Sequence, residues 1–143
     1  MGSPSSHDSA ESTFTTDVQV RYKDLDTFQH VNNAVYVTYF EHARTAYLDA
    51  VLDVDVGDYG FVVASLEIDY VRPITLGDDV VVTAETAHVG SSSWLMAYEI
   101  VADGELAATG KTTQVFVDPD TKQSRPVPDD IRAQLVAYEG LEE

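Results

Sequence analysis

Arg21-Tyr22-Lys23-Asp24-Leu25-Asp26-Thr27-Phe28-Gln29-His30-Val31-Asn32-Asn33-Ala34-Val35-Tyr36 sets two carboxylates, an imidazole and two amides between an alternating run and an apolar helix. The helix signal starts at Asn33 and runs through Tyr36, Tyr39, Phe40, Ala43, Tyr47 and Val51, with apolar residues returning at three- and four-residue steps. Polar groups therefore converge on a helix N-terminus, whose unpaired N–H groups and positive dipole end favour developing negative charge. Because Asp24 and Asp26 are two apart, a strand-like backbone puts both on one face. One reading makes them a turn and helix-entry cluster in which a carboxylate caps N–H groups. A second is a metal site of Asp24, Asp26, His30 and Asn32. The calcium-loop test fails, since the sixth residue from Asp24 is Gln29 and the twelfth is Val35, and no metal is expected. A third makes Asp26 a nucleophile, or a base for water, while helix N–H groups receive an oxyanion.

Outward from this stretch the periods change. Val18 to Tyr22 alternates as a first strand, and the helix runs from about Asn33 to Val51. Phe61 to Arg72 alternates again, with Val62, Ala64, Leu66, Ile68 and Tyr70 on one face and Glu67 and Asp69 on the other. Pro73 and Gly77-Asp78 close it with a turn. Asp79 to Val89 reads as a third strand, and Ser92 to Ala102, with Trp94, Met96, Tyr98 and Ile100 on one face, as a fourth. Asp103-Gly104 is a two-residue hairpin signal before a fifth strand, Leu106 to Val117, and Pro128 to Tyr138 reads as a terminal helix. The order is one strand, a long helix and a four-strand meander. That pattern implies an α+β domain with the helix packed on an antiparallel sheet. The helix is apolar almost all round, so it should be covered on most sides.

Length and composition bound the rest. The 143 residues with 44% hydrophobic content suit one domain, taken as residues 14–143 behind a Ser-rich, disordered leader at 1–13. The absence of cysteine removes disulfides, thiolate metal sites and cysteine nucleophiles, and fits a cytoplasmic protein. No run approaches the ~20 apolar residues that span a bilayer, so no membrane is expected as partner. The 25 acidic and 8 basic residues give a net charge of −17, which argues against nucleic acid, whose phosphates need clustered Lys and Arg. The acidity is spread along the chain and is read as a halophilic adaptation to screening salt, with an acidic interaction tail as the alternative.

From Asp24-x-Asp26-x-x-x-His30-Val31-Asn32-Asn33, Tyr36-x-x-Tyr39-Phe40-Glu41-x-Ala43-Arg44, Ile68-Asp69-Tyr70-Val71-Arg72-Pro73-Ile74, Leu76-Gly77-Asp78-Asp79-Val80 and Ser92-Ser93-Trp94, the chain resembles the 4-hydroxybenzoyl-CoA thioesterase branch of the hotdog superfamily. The resemblance covers roughly residues 17 to 138. It implies a hotdog fold, a long central helix wrapped by a five-stranded sheet, and a homodimer or homotetramer with sites at the dimer interface. It also implies an acyl-CoA thioesterase without cofactor, coenzyme A being part of the substrate. In the resembling enzymes the second Asp of the pair is the catalytic carboxylate, here Asp26, and a backbone N–H near Asn33 is the oxyanion donor. His30 is then a hydrogen-bond donor to the substrate carbonyl or to Asp26, or else a capping residue. Tyr36, Arg72, Ser92 and Ser93 are candidate substrate contacts, with Lys111 and Arg125 as further cations for the phosphates. Trp94, Phe28, Tyr36 and Tyr47 either line an acyl pocket or belong to the core. Where some relatives carry a basic cluster, this chain has Gly90-Ser91-Ser92, leaving hydroxyls and backbone N–H groups to hold the nucleotide. Glu41 and Arg44, three apart, are expected to pair. A hotdog enoyl-CoA hydratase, an acyl-binding module and acyl carrier protein as the carrier remain the alternatives.

Overall fold

The computed structural model describes residues 13–55 and 59–141. Its elements are β1 (Phe14–Val18), a 3-10 turn (Tyr22–Asp24), α1 (Val35–Val51), β2 (Phe61–Tyr70), β3 (Val80–Val89), β4 (Ser93–Ala102), β5 (Glu105–Phe116) and α2 (Asp129–Glu139). All five strands form one antiparallel sheet in the order β1-β3-β4-β5-β2, with α1 along one face. This is the α+β hotdog architecture, a long helix against a five-stranded antiparallel sheet. The expected leader lies outside the described residues except for Thr13.

Three expectations about the strands need correction. The meander has three strands, not four, because β2 lies beyond β5 and pairs Phe61 to Phe116 and Tyr70 to Ala108. The segment from Val71 to Asp79 is too long for a tight hairpin, and it lies across the sheet end, where Val71 and Arg72 donate to Ala107 C=O. The first strand is Phe14–Val18, earlier than Val18 to Tyr22, because Phe14 faces inward to meet Tyr47 edge-on at 5.7 Å while Tyr22 to Asp24 turns. The faces of β2 also change phase. Ala64 is an extra residue between Val63 opposite Gln114 and Ser65 opposite Thr113. Phe61 and Val63 therefore share the helix side with Leu66, Ile68 and Tyr70, while Val62 moves to the outer side.

The core lies between α1 and the inner faces of the central strands. Tyr36, Tyr39, Phe40, Ala43, Tyr47 and Leu48 meet Val80, Val82, Ala84, Trp94, Met96, Tyr98 and Ile100, all buried. Trp94, Met96, Tyr98 and Ile100 alternate inward as the sequence indicates. In one chain α1 is buried along one stripe only, with Val37 and Ala50 exposed, in contrast to the expected cover on most sides. Gly110 lets the helix come close. A Cβ there would stand 2.4 Å from Phe40 Cε2, and the Phe40 ring stacks on Tyr98 at 4.8 Å. Asp103 and Gly104 both have positive φ, 51° and 80°, as a two-residue hairpin of the twist-matched kind requires. At the bulge on β3, Glu139 of α2 accepts the Thr86 N–H at 2.8 Å and lies 2.5 Å from the Tyr47 hydroxyl. Burial, then Glu139, raise the Tyr47 hydroxyl above its ordinary range, so it stays a neutral donor.

Candidate active site

The chemistry-bearing stretch folds as a short two-stranded ribbon. Asp26 N–H donates to His30 C=O at 2.8 Å, Asn32 N–H to Asp24 C=O at 2.8 Å, and Gln29 closes the turn with φ of 67°. The ribbon is tied to the segment after β2, with Val31 N–H donating to Ile74 C=O at 2.8 Å. Asp26 and Asn33 thus sit on one ribbon at the head of α1.

The two aspartates have different surroundings. Asp24 Oδ2 accepts the Arg21 N–H at 2.9 Å and the Tyr39 O–H at 3.0 Å. Burial, then the bond to Asp24, raise the Tyr39 hydroxyl above its ordinary range, so this donor keeps its proton. Asp24 is therefore tied through Oδ2 to the turn and, by way of Tyr39, to α1, while its Oδ1 has no partner among the described residues. Asp26 Oδ1 accepts the N–H groups of Phe28 at 2.8 Å and His30 at 3.2 Å. No partner is found for its Oδ2 among the described residues, which leaves an oriented carboxylate with one open oxygen. The His30 link to Asp26 runs through its backbone, while its half-buried imidazole has no bonded partner among the described residues.

The helix starts at Val35, two residues later than expected, because Asn32 Oδ1 takes the Ala34 N–H at 2.9 Å and holds that residue in a turn. Val35 and Tyr36 N–H donate to Asn32 and Asn33 C=O. The Asn33 N–H has no acceptor among the described residues. Tyr36, named as a substrate contact, is buried, with its hydroxyl 3.5 Å from Arg72 C=O. Burial raises its pKa too. Phe28, two residues after Asp26 in the loop, is 77% exposed. Arg72 also lies at this end, where it pairs with Glu105 at 2.9 Å and donates to Leu106 C=O at 3.2 Å.

Ser92 and Ser93 are elsewhere. Ser93 opposes Val115 and, through it, Val62, whereas Tyr70 at the helix head lies in the row of Ala108 and Ile100. Seven residue steps along β4 separate Ser93 from Ile100, roughly 23 Å at ~3.3 Å per residue. One chain does not bring the serines to Asp26. Arg44 does not pair with Glu41, which is exposed. It is 8% exposed and turns inward to donate to Tyr98 Oη at 3.2 Å, because its place on the buried stripe points it at the sheet. It borders a cleft of about 740 Å³ between α1 and β2, together with Leu48, Leu52, Phe61 and Val63. Sequence reasoning missed two tyrosines of the site, Tyr39 on Asp24 and Tyr70, whose O–H donates to Asn33 C=O at 2.9 Å. For Tyr39 the available signal was a hydroxyl on the buried face of the helix, which needs an acceptor; for Tyr70, half exposed, there was none. Among the described residues no group of three His, Asp or Glu could hold a metal, and no helix is long and apolar enough to cross a membrane.

The family model of the thioesterase-like superfamily matches residues 20–135. The long-chain acyl-CoA thioesterase FadM of Escherichia coli (strain K12) is 30% identical over 125 residues, covering 84% of this chain and 95% of the relative. The acyl-CoA thioester hydrolase YbgC of Shigella flexneri is 30% identical over 130 residues, covering 85% and 95%. Among solved structures, a thioesterase of Thermus thermophilus, crystallised with coenzyme A and Zn, aligns with a TM-score of 0.83 at 39% identity over 92% of this chain and 97% of that one.

Proposed function

The chain belongs to the thioesterase-like superfamily, and from that membership and the ribbon at the head of α1 we propose that it hydrolyses acyl-CoA to the free acid and coenzyme A, with no metal or cofactor. The observation that carries the reading is the pair of open groups on one ribbon, Asp26 Oδ2 and the Asn33 N–H. Asp26 takes a proton from a water that attacks the thioester carbonyl carbon, and the carbonyl oxygen becomes an oxyanion against the Asn33 N–H. Collapse breaks the carbon–sulfur bond, and the thiolate leaves with the proton Asp26 had received. In the second route Asp26 attacks the carbonyl carbon directly and expels the coenzyme A thiolate, leaving an anhydride that water then opens to the free acid and Asp26. A single turnover in ¹⁸O-water labels Asp26 only by that second route. His30 stands beside the reaction as a donor to the substrate carbonyl.

The coenzyme A site is assembled from two chains in this reading. β2 is a sheet edge with Val62, Val63, Leu66 and Tyr70 exposed at 50%, 44%, 41% and 47%, far more apolar than a solvated edge tolerates. Antiparallel pairing of β2 with β2 of a second copy sets the Phe61 end of one strand beside the Tyr70 end of the other. That brings Ser92, Ser93 and the cleft between α1 and β2 of one protomer to Asp26, Asn33 and Arg72 of the other. A homodimer is the minimum active unit, and a homotetramer is a pair of such dimers. Acyl-CoA being an intracellular substrate, the cytoplasm is the proposed location.

The test is free thiol release from a panel of acyl-CoAs. Asp26→Asn should keep the fold and lower kcat by at least ~100-fold, the scale of a positioned acid/base or nucleophile. Asp24→Asn should cost activity far less. Near-normal hydrolysis by Asp26→Asn would remove the mechanism, and enoyl-CoA turnover without thiol release would make the protein a hydratase.

A further inference from the structure

Tyr70, the last residue of β2, makes a contact that its place on an edge strand does not require. Its ring meets Tyr36 edge-on at 4.9 Å, which suffices to pack the ring, and within one chain the residue is 47% exposed, so the fold of the chain alone does not oblige the hydroxyl to find a protein acceptor. Instead the O–H reaches 37 positions back in sequence and donates to Asn33 C=O at 2.9 Å.

The neighbouring peptide groups are all engaged. Asn33 C=O also accepts the Tyr36 N–H at 3.3 Å, and the Ala34 N–H of the same peptide plane is held by Asn32 Oδ1 at 2.9 Å. The plane between Asn33 and Ala34 is thus clamped on both edges. The preceding plane has its carbonyl, Asn32 C=O, fixed by the Val35 N–H at 2.9 Å. Its N–H, that of Asn33, is the one donor from Asn32 to Tyr36 without an acceptor among the described residues. Free to swing, such a donor would give up much of its value, because an oxyanion hole works by being oriented before charge develops.

We propose that Tyr70 is a positioning residue for thioester hydrolysis: its hydroxyl locks the peptide after Asn33 so that the Asn33 N–H stays aimed at the developing oxyanion. This rests on the reading of Asp26 and Asn33 above. It adds a residue from the edge strand to a site otherwise carried by the ribbon and α1.

Tyr70→Phe in the full chain keeps the ring and its packing on Tyr36. On the acyl-CoA that the wild type hydrolyses best, kcat should fall about 10-fold, equivalent to about 1.4 kcal/mol of barrier, with KM within about twofold. A dithioester analogue, whose sulfur accepts hydrogen bonds poorly, supplies a readout that loss of stability alone does not move. The rate ratio of thioester to dithioester should be smaller in Tyr70→Phe than in the wild type. An unchanged ratio, or a raised KM with kcat intact, overturns the proposal. If Asp26→Asn is inactive while Tyr70→Phe matches the wild type, only the latch is lost. Should Asp26→Asn be active as well, the underlying mechanism falls with it.

Discussion

Replacing Gly110 by alanine tests how tightly the helix is seated. The new Cβ would lie 2.4 Å from Phe40 Cε2, 2.5 Å from Phe40 Cζ and 3.2 Å from Glu67 C=O. Carbon contacts prefer about 3.5–4.0 Å, so the Phe40 ring would have to retreat by roughly 1.1 Å or more. It has little room. Phe40 is fully buried and stacked on Tyr98, whose hydroxyl is bonded to Arg44 at 3.2 Å and lies 2.7 Å from Thr112 Oγ1. Overpacking of this kind costs about 1–3 kcal/mol, offset by about 0.5–1 kcal/mol because glycine loses more backbone freedom on folding. A net loss of about 1–2 kcal/mol follows. With about 2.1 cal/mol/K of unfolding entropy per residue, the 143 residues give roughly 300 cal/mol/K, so Tm should drop by about 3–7 °C. Calorimetry at fixed protein and KCl concentration reads the shift, fixed because the proposed assembly would couple Tm to protein concentration. A double-mutant cycle with Phe40→Leu makes it specific, since the smaller side chain should relieve part of the alanine's cost. A Gly110→Ala protein that melts at or above the wild type, or a strictly additive cycle, would refute the close-seat argument.

Two further outcomes follow from the edge strand and the charge. Light scattering in molar KCl should report a dimer or tetramer, and a fully active monomer would contradict a site built from two chains. With 17 excess negative charges, Tm should rise and KM for acyl-CoA should fall from about 0.1 to 3 M KCl, as the Debye length shrinks from ~10 Å to below ~3 Å. A flat or falling midpoint would turn the acidity into a partner-binding feature.

Much of the fold is legible in the chain. The helix, the inward faces of β4 and the Asp103-Gly104 hairpin each follow from a local signal, a period or a turn dipeptide, and they stand where that signal puts them except that the helix starts two residues late. What alternation does not carry is the identity of a strand's neighbour. Hence β2 reads as the first strand of a meander, whereas it borders β5 at the opposite edge. Bulges hide for the same reason: Ala64 and Ala87 look like any other strand residue until a partner strand skips them. At the site, the Asp-x-Asp pattern and the family resemblance draw attention to Asp26, but only the geometry separates Asp24, tied to α1 by the Tyr39 hydroxyl, from Asp26, held by loop N–H groups alone. Arg44 escapes such reasoning because three-residue spacing permits a pair with Glu41 without requiring one, and burial against Tyr98 wins. Tyr70 is invisible in the sequence as a site residue because its acceptor is a backbone carbonyl far away along the chain.

The extra residue at Ala64 also bears on how a chain of this kind can vary. Phe61 packs edge-on against Trp94 at 5.1 Å at one end of β2, and Tyr70 meets Tyr36 at the other. With strict alternation counted back from Tyr70, Phe61 would point to the opposite side. Ala64 is thus a spacer that brings two aromatic clusters into phase on a single strand. Its side chain matters little to that task, so substitutions there are cheap. A one-residue deletion between Val63 and Ser65 is not, because it turns one half of the strand inside out. Insertions and deletions in this lineage therefore belong in the loops, and the residue count between Phe61 and Tyr70 is held by geometry more firmly than the identities it separates.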